Sequence, residues 1–177
     1  MRDSKRRCFM RELKPVDRNM ISELMRNSRL SDRELAKKIG VSQPTVSRRR
    51  VALDKEGLLD YTAFPDFKKL GFEIVAFTLA KWSLNKERLT EERRKFIGKH
   101  PNIIFTSTGI GLDCDRVCIS IHKSYSDYTK LIQDLKAEFG QYYEAFSSFI
   151  VSLQSDSILR NFTLKYLSEL LKQGKTQ

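Results

Sequence analysis

The residues best suited to chemistry lie in one cationic stretch, SQPTVSRRRVALDK, from Ser42 to Lys55. Short hydroxyl and amide side chains come first, three arginines follow, and no acid occurs before Asp54. Such side chains hydrogen-bond phosphate oxygens, while glutamine pairs with adenine and arginine with guanine through two hydrogen bonds each. The stretch therefore predicts contact with a nucleic acid.

Winding this stretch as an α-helix, at about 100° per residue, predicts which side chains face away from a core. Arg48 points outward, whereas Arg50 falls within about 40° of the apolar Val46. We therefore expect Arg50 to extend past the core edge to a phosphate or to pair with Asp17 or Glu23. The residues predicted to contact the nucleic acid are Ser31, Ser42, Gln43, Pro44, Thr45, Ser47, Arg48, Arg49, Arg50 and Lys55.

Capping signals predict the helices that must hold this cationic helix in place. Ser31, with Glu34 three residues later, predicts a capping box at the start of a second helix that Gly40 ends. The cationic helix follows at once, capped by Ser42 and ended by Gly57. An amphipathic helix precedes both. So tight a glycine turn predicts a helix-turn-helix, in which one helix braces the next against the major groove.

The charge distribution agrees with a nucleic-acid partner. The net charge is +11, and residues 1–70 hold 18 Lys and Arg against 10 Asp and Glu, which is +8 of it. This pattern is typical of a domain that binds a phosphate backbone, although a solvated surface or an acidic membrane would also fit charge alone. Duplex DNA is favoured over RNA because this half lacks a strand face with paired aromatic residues for stacking bases.

Cysteine usage and hydropathy predict a cytoplasmic protein. Three cysteines, none in a C-x-x-C pair, argue against a disulfide framework. No run approaches the ~18 apolar residues of a membrane span, and the first residues lack a secretory signal. We therefore expect no membrane partner.

The pattern changes after the cationic module. Gly57–Pro65 is predicted to be a short strand or wing. Strands are then expected at 72–82, 102–108, 116–122 and 145–153, with helices at 90–100 and 126–139 and a loop at 109–115. The predicted fold is α+β, with an N-terminal winged helix-turn-helix and a C-terminal ferredoxin-like βαββαβ domain. Its parts are a basic arm over 1–12, the DNA-binding domain over 13–66, a linker over 67–72 and the βαββαβ domain over 73–177.

The predicted sheet keeps one face without helices. A last helix, predicted over 157–172, is expected to pack on its own domain. Because the other sheet face still needs cover, we expect a homodimer or a higher homo-oligomer.

The motifs resemble a known family of regulators. They are S-x-x-E-L-A at Ser31–Ala36, G-V-S-x-x-T-V-S-R-R at Gly40–Arg49 and E-G-L-L at Glu56–Leu59. Together they resemble the amino-terminal domain of the leucine-responsive regulatory protein/AsnC family of bacterial and archaeal transcription regulators. The second half looks like the ligand-sensing domain of that family. The resemblance implies a sequence-specific DNA-binding dimer, commonly assembled into larger rings, that responds to an amino acid.

The resemblance also implies an effector site between the second and third strands. The family commonly has Gly-x-x-Asp there, whereas this chain has GIGLDCDR, in which glycine and aspartate do not fall at that spacing. The predicted effector-binding residues are Gly109, Gly111, Asp113 and Asp115. The resemblance implies an amino acid or another small ligand as the effector, and the departure from the family spacing leaves open a regulator with no effector.

Two rival functions stay open. Some tetrapyrrole decarboxylases share this two-domain plan and use histidines in the second domain, where this chain has only His100 and His122. Cys114, Cys118 and His122, spaced by four, would share one strand face and could hold a metal or haem, but buried structural cysteines are the stronger interpretation. We predict no catalytic residue, metal or cofactor. The second rival is a ligand sensor of this fold that does not bind DNA.

Overall fold

The computed structural model describes residues 13–83, 90–156, 158–160 and 163–173. These residues form two compact units. The first comprises the described residues up to Phe64 together with those from 163 onwards, and the second spans Pro65–Arg160. The predicted basic arm over residues 1–12 lies outside the described residues. Within the described ranges, no helix is long and apolar enough to cross a membrane.

Three helices of the first unit confirm the predicted helix-turn-helix. They are α1 (Pro15–Arg26), α2 (Asp32–Ile39) and α3 (Gln43–Lys55). The capping box is present: the Ser31 hydroxyl accepts the Glu34 N–H, and the Glu34 carboxylate accepts the Ser31 N–H at 2.8 Å. Gly40 ends α2 at φ +72°, a left-handed conformation that costs other residues about 1–2 kcal/mol. This turn allows α3 to begin so soon after α2.

One apolar side of each helix forms the core of this unit. The buried residues are Met20, Ile21, Leu24, Leu35, Ala36, Val46 and Leu53. Val46 and Leu53 are the buried residues of α3 and are fully enclosed, as the helical winding predicts. Burying such a side chain contributes about 1.5–3 kcal/mol. Two anchors on one side leave the opposite side of α3 free to face a partner.

The stretch after α3 does not form the predicted strand. Gly57 adopts φ +69° and the Leu58 N–H bonds the Leu53 carbonyl at 3.0 Å, which ends the helix. Residues 58–66 then run without helix or strand, and Leu59 packs against the three-helix core. A strand needs a partner for its backbone N–H and C=O groups. Because the described part of this unit offers no strand to pair with, residues 58–66 do not become a strand.

The second unit confirms the predicted β-α-β-β-α-β order. Its strands are β1 (Ile74–Trp82), β2 (Ile103–Gly111), β3 (Cys114–His122) and β4 (Tyr143–Ser152), and its helices are α4 (Thr90–Lys99) and α5 (Tyr125–Phe139). The strands form one antiparallel sheet in the order β2-β3-β1-β4. A 3₁₀ turn over Gly140–Tyr142 follows α5. This is the ferredoxin-like arrangement.

The predicted loop at 109–115 is a tight hairpin instead. Strands β2 and β3 continue into it until Gly111 faces Cys114. The turn between them consists of Leu112 and Asp113, both at φ +52°, and such a left-handed pair matches the twist of the flanking strands. Glycines and aspartates in the sequence suggested a longer loop, but the chain needs only two residues to reverse.

The two faces of the sheet differ in their cover. Along β1, burial alternates, so that Ile74, Ala76, Thr78, Ala80 and Trp82 are buried. Several of these residues form clusters with side chains of α4 and α5. The opposite face is apolar and less buried; it includes Val75, Phe77, Leu79, Phe105, Val117, Ile119 and Phe149. We call this set the open sheet face.

The C-terminal helix is shorter than predicted and packs elsewhere. Only Leu167–Gln173 forms a helix, α6, and it packs on α1 within the first unit rather than on the βαββαβ domain. The buried Ser22 hydroxyl donates to the Ser168 carbonyl oxygen at 2.8 Å. Lys172 donates to the Glu23 carboxylate at 2.6 Å. Polar groups on α1 therefore decide the position of α6, which its helical period alone did not predict.

Candidate nucleic-acid interface

The first turn and the outer side of α3 form an exposed surface, which we call the α3 surface. It consists of Ser42, Gln43, Pro44, Arg48 and Lys55, all of them exposed. The first turn contains no acid, and its free backbone N–H groups with the helix dipole favour a phosphate. Val51, 52% exposed, adds an apolar contact of the kind that a thymine methyl group makes.

Arg48 is the arginine that α3 presents to solvent. Among the described residues it makes no ion pair or hydrogen bond. Its guanidinium group therefore has all five N–H donors available to a partner. A planar donor fork of this kind matches the two acceptors on a guanine edge or the oxygens of a phosphate.

Arg49 is bound to an acid of α1. Its Nε donates to Asp17 Oδ1 at 2.6 Å, and a second guanidinium nitrogen contacts Asp17 Oδ2. The Asp17 side chain is 1% exposed and that of Arg49 is 20% exposed. Hydrogen bonding to Asp17 raises the pKa of Arg49. Asp17 was predicted as a partner of Arg50, but in the structure it pairs with Arg49.

Arg50 is bound to the start of α2. Its Nε donates to Asp32 Oδ1 at 2.7 Å, and its other nitrogens donate to the Leu30 carbonyl oxygen at 3.0 Å and the Tyr61 hydroxyl at 3.2 Å. The Ser47 hydroxyl donates to the second oxygen of Asp32. Asp32 therefore joins α2 to α3, a role that sequence reasoning missed. The available signal was an acid at the first position of α2, eleven residues before α3 begins.

The other predicted hydroxyl groups are partly engaged in capping. Ser42 accepts the Thr45 N–H at 3.4 Å, and the two side-chain oxygens lie 2.8 Å apart. The Ser31 hydroxyl donates to Glu34 at 2.7 Å. These bonds hold the starts of α2 and α3 rigid, which is where a phosphate would meet backbone N–H groups.

The four predicted effector residues come together on the β2–β3 hairpin. Gly109 and Gly111 lie in β2, and Asp113 lies in the turn, where its carboxylate accepts Lys81 Nζ at 2.9 and 3.0 Å. This contact raises the pKa of Lys81. Asp115 Oδ1 accepts the backbone N–H of Trp82 at 3.1 Å. Both carboxylates thus already bind groups at the end of β1.

Cys114, Cys118 and His122 do not form a common metal site. All three lie on β3, where residues four apart are separated by about 13 Å, too far for ligands that each sit within ~2.3 Å of one ion. The described residues contain no cluster of metal-binding side chains. Burial raises the pKa of Cys118 to about 11 and lowers that of His122. The His122 ring lies 3.2 Å from Asn102 and 2.8 Å from Ser120 and is a satisfied core residue.

Comparison with known proteins gives a consistent result. The AsnC-type helix-turn-helix domain family matches residues 15–54. An uncharacterized HTH-type transcriptional regulator of Pyrococcus furiosus is 30% identical over 125 residues, which cover 70% of this chain and 82% of that protein. The HTH-type transcriptional regulator LrpC of Bacillus subtilis is 36% identical over 104 residues, which cover 58% of this chain and 70% of LrpC.

Solved structures share the fold. The structure of Bacillus subtilis LrpC matches with a TM-score of 0.65 at 27% identity, over 84% of this chain and 99% of LrpC. A transcriptional regulator of Neisseria meningitidis in complex with L-Met matches with a TM-score of 0.71 at 17% identity, over 88% of this chain and 99% of that one.

Proposed function

The chain belongs to the leucine-responsive regulatory protein/AsnC family of transcription regulators, and on that premise we propose that the α3 surface reads its DNA. The chain is a DNA-binding regulator and not an enzyme. The observation that carries the proposal is that three adjacent arginine side chains lie in different environments. Arg48 faces solvent, while Arg49 and Arg50 are bound to acids of α1 and α2.

Arg48 and the first turn of α3 make the DNA contacts in this proposal. Arg48 and Gln43 reach base edges in the major groove, whereas Ser42, Thr45 and Lys55 contact phosphates. Pro44 starts the helix without needing a hydrogen bond for its nitrogen. A helix presented in this way reads a few base pairs, so two copies are needed for a site of useful length.

Arg49 and Arg50 act as positioning residues in this proposal, and Ser31 and Ser47 act with them. A guanidinium group held by a carboxylate within its own unit has fewer donors for DNA, but it sets the angle of α3 against α1 and α2. Their positive charge still adds to the long-range attraction of the phosphate backbone. The base-reading set is therefore narrower than the run of arginines suggests.

The second copy is another molecule of this chain, joined through the open sheet face. Helices α4 and α5 lie on the other side of the sheet, and Phe105 and Phe149 are 51% and 70% exposed. Aromatic and branched side chains on one continuous face are typical of a surface that a partner covers. Replacing Phe149 with Asp is expected to shift the protein towards monomer in analytical ultracentrifugation. An unchanged sedimentation coefficient would remove this face from the interface.

A small-molecule effector at the β2–β3 hairpin also belongs to the proposal, and an amino acid is its first candidate. Asp113 would receive the ammonium group of such a ligand. The ligand would then have to displace Lys81, which occupies both oxygens of that carboxylate. A cytoplasmic location, where the protein meets DNA, completes the proposal.

The test is a binding experiment on DNA fragments selected by the protein from genomic DNA. Fluorescence anisotropy with one selected duplex, against random competitor, measures affinity and preference. Arg48→Ala is expected to weaken specific binding about tenfold or more, because one base contact contributes about 1–3 kcal/mol. Arg94→Ala, which removes an equal charge from an exposed position on α4, is the control and should change affinity less than about twofold. Equal effects of both variants would show that only bulk charge matters and would refute the assignment of Arg48.

A further inference from the structure

A cavity lies inside the second unit, between the sheet and the helices α4 and α5. Its volume is about 50 Å³, room for roughly three to five water molecules or for a short carboxylic acid. Most of its wall is apolar and includes Phe96, Leu135 and Phe139. It is separate from the α3 surface and from the hairpin turn that carries Asp113.

Two cations reach into this apolar cavity. Arg93 of α4 and Arg116 of β3 both line it, and their guanidinium carbons lie 4.9 and 5.3 Å from the centre of the Trp82 ring. Burial lowers the pKa of Arg93, and the charge of Arg116 lowers it further. Two like charges in such a place cost free energy unless an anion offsets them.

The neighbouring groups supply only part of that offset. The charge of Asp115 stabilises the cationic form of Arg93, but one carboxylate cannot neutralise two guanidinium groups. Cys118 is neutral because burial raises its pKa to about 11. Burial also raises the pKa of Tyr143, so that its hydroxyl keeps its proton at neutral pH. Among the described residues, the two cations and one anion give the cavity an excess of one positive charge.

Two buried donors in the cavity lack a well-aligned acceptor among the described residues. Trp82 is 4% exposed and lines the cavity, yet within the described ranges its Nε1 finds no acceptor of normal hydrogen-bond geometry, and neither does Arg116 Nε. The indole packs edge-on against Tyr143, whose pKa burial raises and hydrogen bonding by Trp82 lowers, so the Tyr143 oxygen is a poorly aligned acceptor for the indole N–H. Leaving a buried donor without an acceptor destabilises the folded protein. A ligand that accepts from both would remove this destabilisation.

We propose that this cavity binds a small monoanionic carboxylate with a short apolar chain. The carboxylate oxygens accept from Trp82 Nε1 and from the guanidinium groups of Arg93 and Arg116, because a carboxylate accepts such paired donors well. The alkyl chain packs against the phenylalanine side chains of the wall. The proposal concerns a site apart from the DNA surface and from the hairpin turn at Asp113, and it stands whether or not either of those assignments holds.

Trp82 gives a direct measurement because it is the single tryptophan of the chain. Sodium propionate is titrated into the full-length protein at constant ionic strength, and tryptophan fluorescence and the one indole N–H signal in a ¹H–¹⁵N NMR spectrum are followed. We expect a saturable change in fluorescence and a downfield shift of the indole proton as it gains an acceptor. Propionamide, of nearly the same shape but uncharged, should produce neither. No DNA is present, so the outcome does not depend on the DNA-binding proposal.

Variants locate the site. Arg93→Gln is expected to weaken propionate binding about tenfold or more, because a hydrogen bond to a charged group contributes about 1.5–3 kcal/mol. Arg94→Gln, at the exposed neighbouring position, should change it less than about twofold. Should Arg93→Gln fail to fold by circular dichroism, Arg93→Lys keeps the charge and is expected to bind more weakly than wild type, since it loses the paired donors.

Three results would overturn the proposal. The first is no saturable response of Trp82 to propionate. The second is an equal response to propionamide, which would indicate apolar filling of the cavity without charge recognition. The third is an equal loss of binding in Arg93→Gln and Arg94→Gln, which would place the anion on the surface.

Discussion

Replacing Arg49 with Ala should destabilise the protein, whereas replacing its neighbour Arg48 should not. Arg49 holds the buried carboxylate of Asp17 through two contacts. Without Arg49 the Asp17 carboxylate, which is 1% exposed, loses its cationic partner. The two substitutions are chemically identical and adjacent, so any difference in stability between the variants reflects the surroundings of the two arginine side chains.

The magnitude follows from burial. Removing one partner of a fully buried ion pair costs about 3–5 kcal/mol. The Arg49 side chain is 20% exposed, so water can reach part of the space that it leaves, and we expect a loss of about 2–3 kcal/mol. For a chain of this size that lowers Tm by roughly 5–10 °C. Arg48→Ala is an exposed change and should stay within about 0.5 kcal/mol.

The assay is urea unfolding followed by circular dichroism, with DNA affinity measured on the same samples at several salt concentrations. A double-mutant cycle with Asp17→Ala isolates the pair: the double variant should lose less than the sum of the single variants, because no uncompensated charge remains. Arg48→Ala should instead reduce DNA affinity and, where Arg48 touches a phosphate, lower the slope of log affinity against log salt by about 0.9.

Unfolding of Arg49→Ala at the same urea concentration as Arg48→Ala would contradict a stabilising role for the Asp17–Arg49 pair. Additive losses in the cycle would also contradict it, since they would mean that Asp17 and Arg49 do not depend on each other. If Arg48→Ala lost stability and kept full DNA affinity, Arg48 would be the stabilising arginine and not the DNA-contacting one.

Three further predictions concern stability. Hydrogen bonding to Lys172 lowers the pKa of Glu23 below 4.5. The stability that the Glu23 carboxylate contributes is therefore present above about pH 4.5 and is lost as pH falls through the lowered pKa. In Lys172→Met the loss of stability at acidic pH should be smaller. Burial lowers the pKa of His122 below 6.5, so the unfolded chain binds a proton at this histidine more readily than the folded chain does. The free energy of unfolding should therefore fall as pH drops below about 6.5. His122→Gln should not show this decrease. Gly40→Ala should cost about 1–2 kcal/mol by urea unfolding because of its φ of +72°, whereas Gly98→Ala in α4 should cost nothing and gain up to about 1 kcal/mol.

Much of the fold could be predicted from local signals. The capping box at Ser31, the glycine turn at Gly40 and the cap at Ser42 set the starts and ends of α2 and α3 as observed. These signals are readable because each involves hydrogen bonds between residues at most four apart. The order of strands and helices in the second unit was likewise readable, since period and turn residues mark each element.

Predictions that depended on distant partners were less successful. The helical winding placed Arg50 inward, but it could not say that Arg49 would take Asp17, 32 residues away, while Arg50 took Asp32. The segment 58–66 has β-forming residues, but the described part of its unit contains no strand to pair with them. The predicted loop at 109–115 is mostly strand because β2 and β3 pair almost to the turn.

The sequence by itself determined the helix-turn-helix, the side of α3 that holds Val46 and Leu53, and the β-α-β-β-α-β order, because short-range hydrogen bonds and apolar periodicity encode them. Only the tertiary structure decided which arginine is free, where α6 packs, and that Arg93, Arg116 and Trp82 meet around one cavity. Those outcomes depend on which charged and apolar groups from separate parts of the chain become neighbours. Hydrogen bonding and burial select among many such pairings only when the whole unit has folded.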